Sequence, residues 1–168
     1  MLEVLFVILA AMMGPVENDA AAVAAPAALT EHRFDMSVVS TKLTAEPQTP
    51  TGKFTTAQEV KPILSATKGT WVAVREYEGQ DLLYVTHLWA WRCGLAAVAV
   101  SINEGPLTDW PLPACHMEYA TPNAVLEEDG LPYLSRPLGS VARIKVQIVY
   151  DDLTMDIAEF DRGAVLIP

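Results

Sequence analysis

The order of apolar and polar residues divides the 168-residue chain into stretches of different period. Val4 to Met13 is an unbroken apolar run, too short to span a bilayer, which takes about 20 residues. Residues 25–54 show no period and carry Pro26, Pro47 and Pro50. Val60, Ile63 and Leu64 then fall at helical spacing. Thr56-Ala57-Gln58-Glu59 ahead of them is a capping-box pattern, and Lys68 and Gly69 suit a helix end. The pattern predicts a helix over 57–68, with Pro62 removing one of its hydrogen bonds.

From Trp71 the period becomes two. Trp71 to Tyr77 is β-branched and aromatic, and Glu78-Gly79-Gln80-Asp81 is a turn. Leu82 to Arg92 reads as a long second strand, apolar on both faces, and Leu95 to Ile102 as a third. Asn103-Glu104-Gly105-Pro106 ends that strand, and residues 105–115, with Pro106, Pro111 and Pro113, read as a loop. Thr121-Pro122 followed by 123–129 and Gly130 predicts a short helix. Pro132 and Pro137 mark another loop. Val141 to Tyr150 alternates cleanly, with Ile144, Val146 and Ile148 on one face and Arg143, Lys145 and Gln147 on the other. Asp151-Asp152 turns the chain and Leu153 to Phe160 returns. The reading is α+β: an antiparallel sheet of about five strands, a meander plus a C-terminal hairpin, with one N-terminal helix and one short second helix. A single domain is expected over 55–168, preceded by a flexible tether over 25–54.

Location changes the meaning of the N-terminus. The apolar run, the helix-breaking Gly14-Pro15 and the small residues after it match a signal peptide over 1–24, although Glu3 stands where a basic residue is usual. Cleavage after Ala24 is expected, releasing a periplasmic or secreted protein with no stable membrane anchor. Composition is typical of small exported bacterial proteins. Export makes Cys93 and Cys115, the only cysteines, a disulfide pair. The net charge is −10. The signal segment removes Glu3, Glu17 and Asp19 and no base, which leaves 18 acids against 11 bases. With no basic run, the chain is not expected to bind nucleic acid, which needs phosphate-neutralising charge.

Chemistry is sparsely signalled. No phosphate loop, dinucleotide fingerprint, nucleophile elbow or metalloprotease motif occurs. His32 falls in the tether. His87 shares a strand face with Leu83, Val85, Trp89 and Trp91 in this reading, as a core histidine or a pocket residue. His116 and Glu118 lie close enough in sequence to face the same way, but no third ligand with metal-site spacing is evident. No catalytic residue, metal or cofactor is therefore assigned. Trp71, Arg75 and Tyr77 on one strand face, with Trp89 and Trp91 from the next strand, form the candidate binding surface. An arginine among aromatics suits a partner protein or a small neutral or acidic ligand. Two functions remain open: a non-enzymatic binding module of the periplasm, and a small hydrolase or metal-dependent enzyme using His87 or His116 with carboxylates.

Overall fold

The computed structural model describes residues 34–168. The segment read as a signal peptide, its expected cleavage site and His32 lie outside them. The fold is mixed, with two four-stranded sheets and few helices. The first sheet has the order β5-β2-β1-β8: β1 is Ala73–Tyr77, β2 Gln80–Tyr84, β5 Tyr133–Pro137 and β8 Leu166–Ile167. The second has the order β4-β3-β6-β7: β3 is Leu95–Ile102, β4 Thr108–Asp109, β6 Arg143–Tyr150 and β7 Met155–Asp161. All pairings are antiparallel except β1 with β8.

One apolar core joins the two sheets. Val74 and Leu83 from the first meet Val98, Ile144, Val146 and Ile148 from the second. Helix α1, Ala57–Ala66, adds Ala57, Val60 and Leu64 to the same core. Burying a side chain of this size contributes about 1.5–3 kcal/mol before entropy is counted, so the core carries most of the driving force. Gly94 sets how closely α1 approaches. A Cβ there would lie 2.5 Å from Val60 Cγ2 and 2.8 Å from Thr56 O.

The expected single sheet of about five strands is corrected to these two. Strands β4, β5 and β8 are short, and β5 ends in a proline, so none announced itself by alternation. The long second strand is corrected as well. β2 stops at Tyr84 because its neighbours stop there: Tyr84 faces Ala73, the first residue of β1, and Tyr133, the first of β5. The chain then leaves the sheet through α2, Thr86–Trp89, and a 3-10 turn at Arg92–Gly94. An apolar run without a clear period fits either element, and here the missing partners decide. The turn between β1 and β2 falls at the expected place but is shorter, because Gln80 and Asp81, read as turn residues, begin β2. Glu78 (φ 47°) and Gly79 (φ 76°) both lie in the left-handed region that a two-residue hairpin loop requires. The predicted second helix is a 3-10 turn at Glu127–Asp129.

Residues 34–54 have little regular structure, and hydrogen bonds run from them to the domain. The Asp35 N–H donates to Gln147 Oε1 at 2.7 Å and the Gln147 amide donates back to Asp35 O at 2.9 Å. The Glu46 N–H reaches Asp151 O at 2.9 Å. The Glu59 carboxylate accepts from the N–H groups of Thr51, Gly52 and Thr55. Asp151 receives the first N–H of α1, from Ala57, at 2.8 Å. Burial pushes the pKa of Asp151 up.

Asp81 closes the far end of the first sheet. Its fully buried carboxylate takes two hydrogen bonds from Arg162, at 2.6 and 2.9 Å, and one each from the N–H groups of Gly139 and Val141 at 3.0 Å. The Arg162 guanidinium, aided by those amides, holds the Asp81 pKa well below the usual carboxylate range. The contact therefore stabilises the fold above the ordinary Asp pKa of 3.8, and that contribution is lost as pH falls below it. Asp81→Asn is expected to lower the melting temperature by several degrees at pH 7 and to flatten the acid limb of the profile. Thermal denaturation between pH 2 and pH 7 measures both. An unchanged acid limb would contradict the assignment.

Candidate functional site

The site is built around one arginine. The turn at Arg92–Gly94 carries the chain from the first sheet to the second and directs the Arg92 side chain under the long loop between β3 and β5. Only 1% of that side chain is exposed. A guanidinium has five N–H donors, and a buried one left unpaired is costly. All five are used. Nε donates to Ala114 O at 3.0 Å, and Nη1 to Trp89 O at 3.2 Å and Asn123 O at 2.7 Å. Nη2 donates to Ala124 O at 2.8 Å and Asp129 Oδ2 at 3.2 Å. Burial pulls the Arg92 pKa down, and Asp129 opposes the shift.

Asp129 extends the network. Its carboxylate is 4% exposed and accepts from the Leu126 N–H at 2.9 Å and from His116 Nε2 at 2.9 Å. Burial alone would raise its pKa; the Leu126 amide, His116 and Arg92 together hold it below the usual value. Asn123 adds a third tie, accepting from the Cys93 N–H at 2.9 Å and donating to Phe54 O at 2.8 Å. Cys93 and Cys115 form the expected disulfide, with Cα atoms 5.1 Å apart. Arg92–Cys93 and Cys115–His116 are thus joined twice, covalently and through Asp129.

A cleft of about 450 Å³ opens where β4 and β5 form edges of their sheets. Trp89, Trp110, Leu112, Leu131, Tyr133 and Leu134 line it. Pro111 and Pro113 stiffen one wall. Asp129 lies in the lining with its charge already engaged, whereas Asp109 on the rim is exposed and has no partner among the described residues. The Trp89 indole N–H is buried without an acceptor among the described residues. A larger cavity of about 910 Å³ lies by Phe34, but its charges are spent internally: Arg143 pairs with Glu104 and Asp161, and Lys145 with Glu159. A third cleft, of about 560 Å³, is lined by Thr49, Thr51, Thr55 and Thr56 beside the disulfide.

The five residues read as a binding surface are not brought together. Trp71 is fully buried and donates from Nε1 to Leu64 O at 3.0 Å, so it is core. Trp89 and Trp91 sit beyond β2 in the α2 region, and Trp91 stacks edge-on against Phe54 at 5.2 Å. Only Arg75 and Tyr77 share the outward face of the first sheet, with the guanidinium 5.4 Å from the ring centre. Trp89 alone of the five reaches the cleft. His87 is not on a strand face. The Thr67 hydroxyl donates its single proton to Ile63 O at 2.7 Å, so it accepts from His87 Nε2–H at 2.7 Å. Burial lowers the His87 pKa, which keeps it neutral at pH 7.

His116 does meet a carboxylate, but Asp129 is also neutralised by Arg92. No serine, threonine or free thiol is hydrogen-bonded to His116 among the described residues. Among the described residues no group of three His, Cys, Asp or Glu side chains could hold a metal, and no helix is long and apolar enough to cross a membrane. The network around Arg92 was missed in the sequence because Asp129 lies 37 positions from it; a single cation closing an apolar run was the one available signal. Comparison with protein-family models, curated proteins and solved structures finds no match to the chain.

Arg92→Met takes one donor from Asp129 and the Arg92 donor from each of four carbonyls. It is expected to cost about 3 kcal/mol or more, read as a lower denaturation midpoint with the disulfide intact. Arg92→Lys, with three donors, restores only part. A loss below about 1 kcal/mol, as for an exposed ion pair, would contradict this role.

Proposed function

We propose that the protein is an exported, non-enzymatic binding module whose site is the cleft between β4 and β5. The observation that carries this reading is the cleft's construction. It is concave and mostly apolar, with a few polar groups at its margin, which is the usual make-up of a small-molecule site. One wall belongs to a loop already fixed by Arg92 and the disulfide. A wall ordered before binding spares the ligand the entropic cost of ordering it. The disulfide supports export, since such bonds persist in oxidising compartments. The outward face of the first sheet, with Arg75 and Tyr77, is the weaker candidate because it is open and lacks a concavity. A second reading, a small hydrolase, draws on the His116–Asp129 contact; among the described residues no hydroxyl or free thiol is hydrogen-bonded to His116.

A thermal-shift screen of small soluble compounds tests the cleft against the sheet face. Leu131 is largely exposed, so Leu131→Arg can obstruct the cleft while leaving the core intact. Compounds that raise the melting temperature are expected to bind at least about tenfold more weakly to Leu131→Arg, a loss of 1.4 kcal/mol or more, and normally to Arg75→Ala. The opposite pattern, or no stabilising compound at all, would overturn the assignment.

A further inference from the structure

The cleft's chemistry is specific enough to name a ligand class. We infer that it takes a small soluble organic cation, of the quaternary or primary ammonium type, with the charge between the Tyr133 ring and Asp109. This rests on the cleft being the binding site. Trp89, Trp110 and Tyr133 line one space; the two tryptophans belong to the core, with only 4% and 9% exposed, and Tyr133 is the more open of the three. Aromatic faces attract a cation within about 6 Å, and the attraction grows when the cation is desolvated.

Charge points the same way. No lysine or arginine lines the cleft. Of its two carboxylates, Asp129 is matched by Arg92 and His116, which leaves Asp109 as the uncompensated charge. Glu127 and Glu128 precede Asp129 in the same 3-10 turn, outside the cleft lining, and add negative charge beyond it. The local potential is therefore negative, on a chain whose net charge is −10. This reverses the neutral or acidic ligand that Arg75 suggested, because Arg75 is not in the site. An anion entering here would meet Asp109 with no cation to offset it.

Choline and its uncharged isostere 3,3-dimethylbutan-1-ol are the probes, titrated into the oxidised full chain by calorimetry and tryptophan fluorescence. Choline is expected to bind at least about tenfold tighter than the isostere. Asp109→Asn, an exposed change, should bring that ratio close to one without weakening the isostere. Tyr133→Leu should weaken choline more than the isostere, and Tyr133→Phe should not. Equal binding of the two probes, or binding of the isostere alone, would overturn the cation proposal and leave the cleft as the site. Choline binding that neither Asp109→Asn nor Tyr133→Leu affects would also overturn it. If neither probe binds, the cation proposal fails, and the thermal-shift screen decides the cleft itself. Phosphatidylcholine vesicles should leave the protein in the supernatant on sedimentation. Co-sedimentation would assign the chemistry to a lipid headgroup and overturn the soluble-ligand proposal.

Discussion

The burial of the Arg92 guanidinium is the constraint on which the loop side of this molecule depends. The chain between Asn103 and Pro132 contains only the two-residue strand β4 and a single 3-10 turn. Of its apolar residues only Trp110 and Pro122 are buried, and it has too little ladder to hold one conformation by itself. Arg92 supplies what the loop lacks. Its planar fork gathers three loop carbonyls and the Asp129 carboxylate into one fixed arrangement. A buried ion pair of this kind is a weak source of net stability, because desolvation offsets the attraction. Its value lies in specificity: only one path of the loop satisfies all five donors.

The same device recurs at the opposite end of the fold. Asp81 is a buried carboxylate that organises backbone by accepting from Gly139 and Val141, with Arg162 as its counter-ion. At one end a buried cation collects carbonyls; at the other a buried anion collects amides. Each joins segments far apart in sequence. The disulfide reinforces the first of these joints. In the chain-entropy model, closing a loop of this length contributes about 3 kcal/mol, comparable to what the loss of Arg92 would remove. The cleft owes its defined shape to both restraints acting on one wall.

The sequence was legible where a local rule determines the outcome. The hairpin turn at Glu78-Gly79, the alternation of β6, the body of α1 and the Cys93–Cys115 pairing each follow from a few neighbouring residues. It was illegible where partners at long range decide. Leu82 to Arg92 ends as a strand at Tyr84 because β1 and β5 offer nothing further to pair with, which no property of the run itself reveals. Tyr133–Pro137 becomes a strand because β2 has a free edge, against the signal of its flanking prolines. The site was illegible for the same reason. Asp109, Trp110 and Tyr133 are ordinary residues in a proline-rich stretch until the loop is folded back over Trp89. The pattern that made Trp71, Arg75 and Tyr77 one face continued a strand backwards past its true start at Ala73.

The central claim is that Arg92, and not the disulfide alone, fixes the loop that forms the cleft. Amide hydrogen exchange over residues 110–132 tests it most directly, compared between the native chain and Arg92→Met with the disulfide intact in both. The account predicts slow exchange at Leu126, Asp129 and the amides around Asn123 in the native protein. It predicts that this protection is lost in the variant while strands β3 and β6 remain protected. Equal protection of the loop in both proteins would contradict the claim and leave the disulfide as the element that holds it.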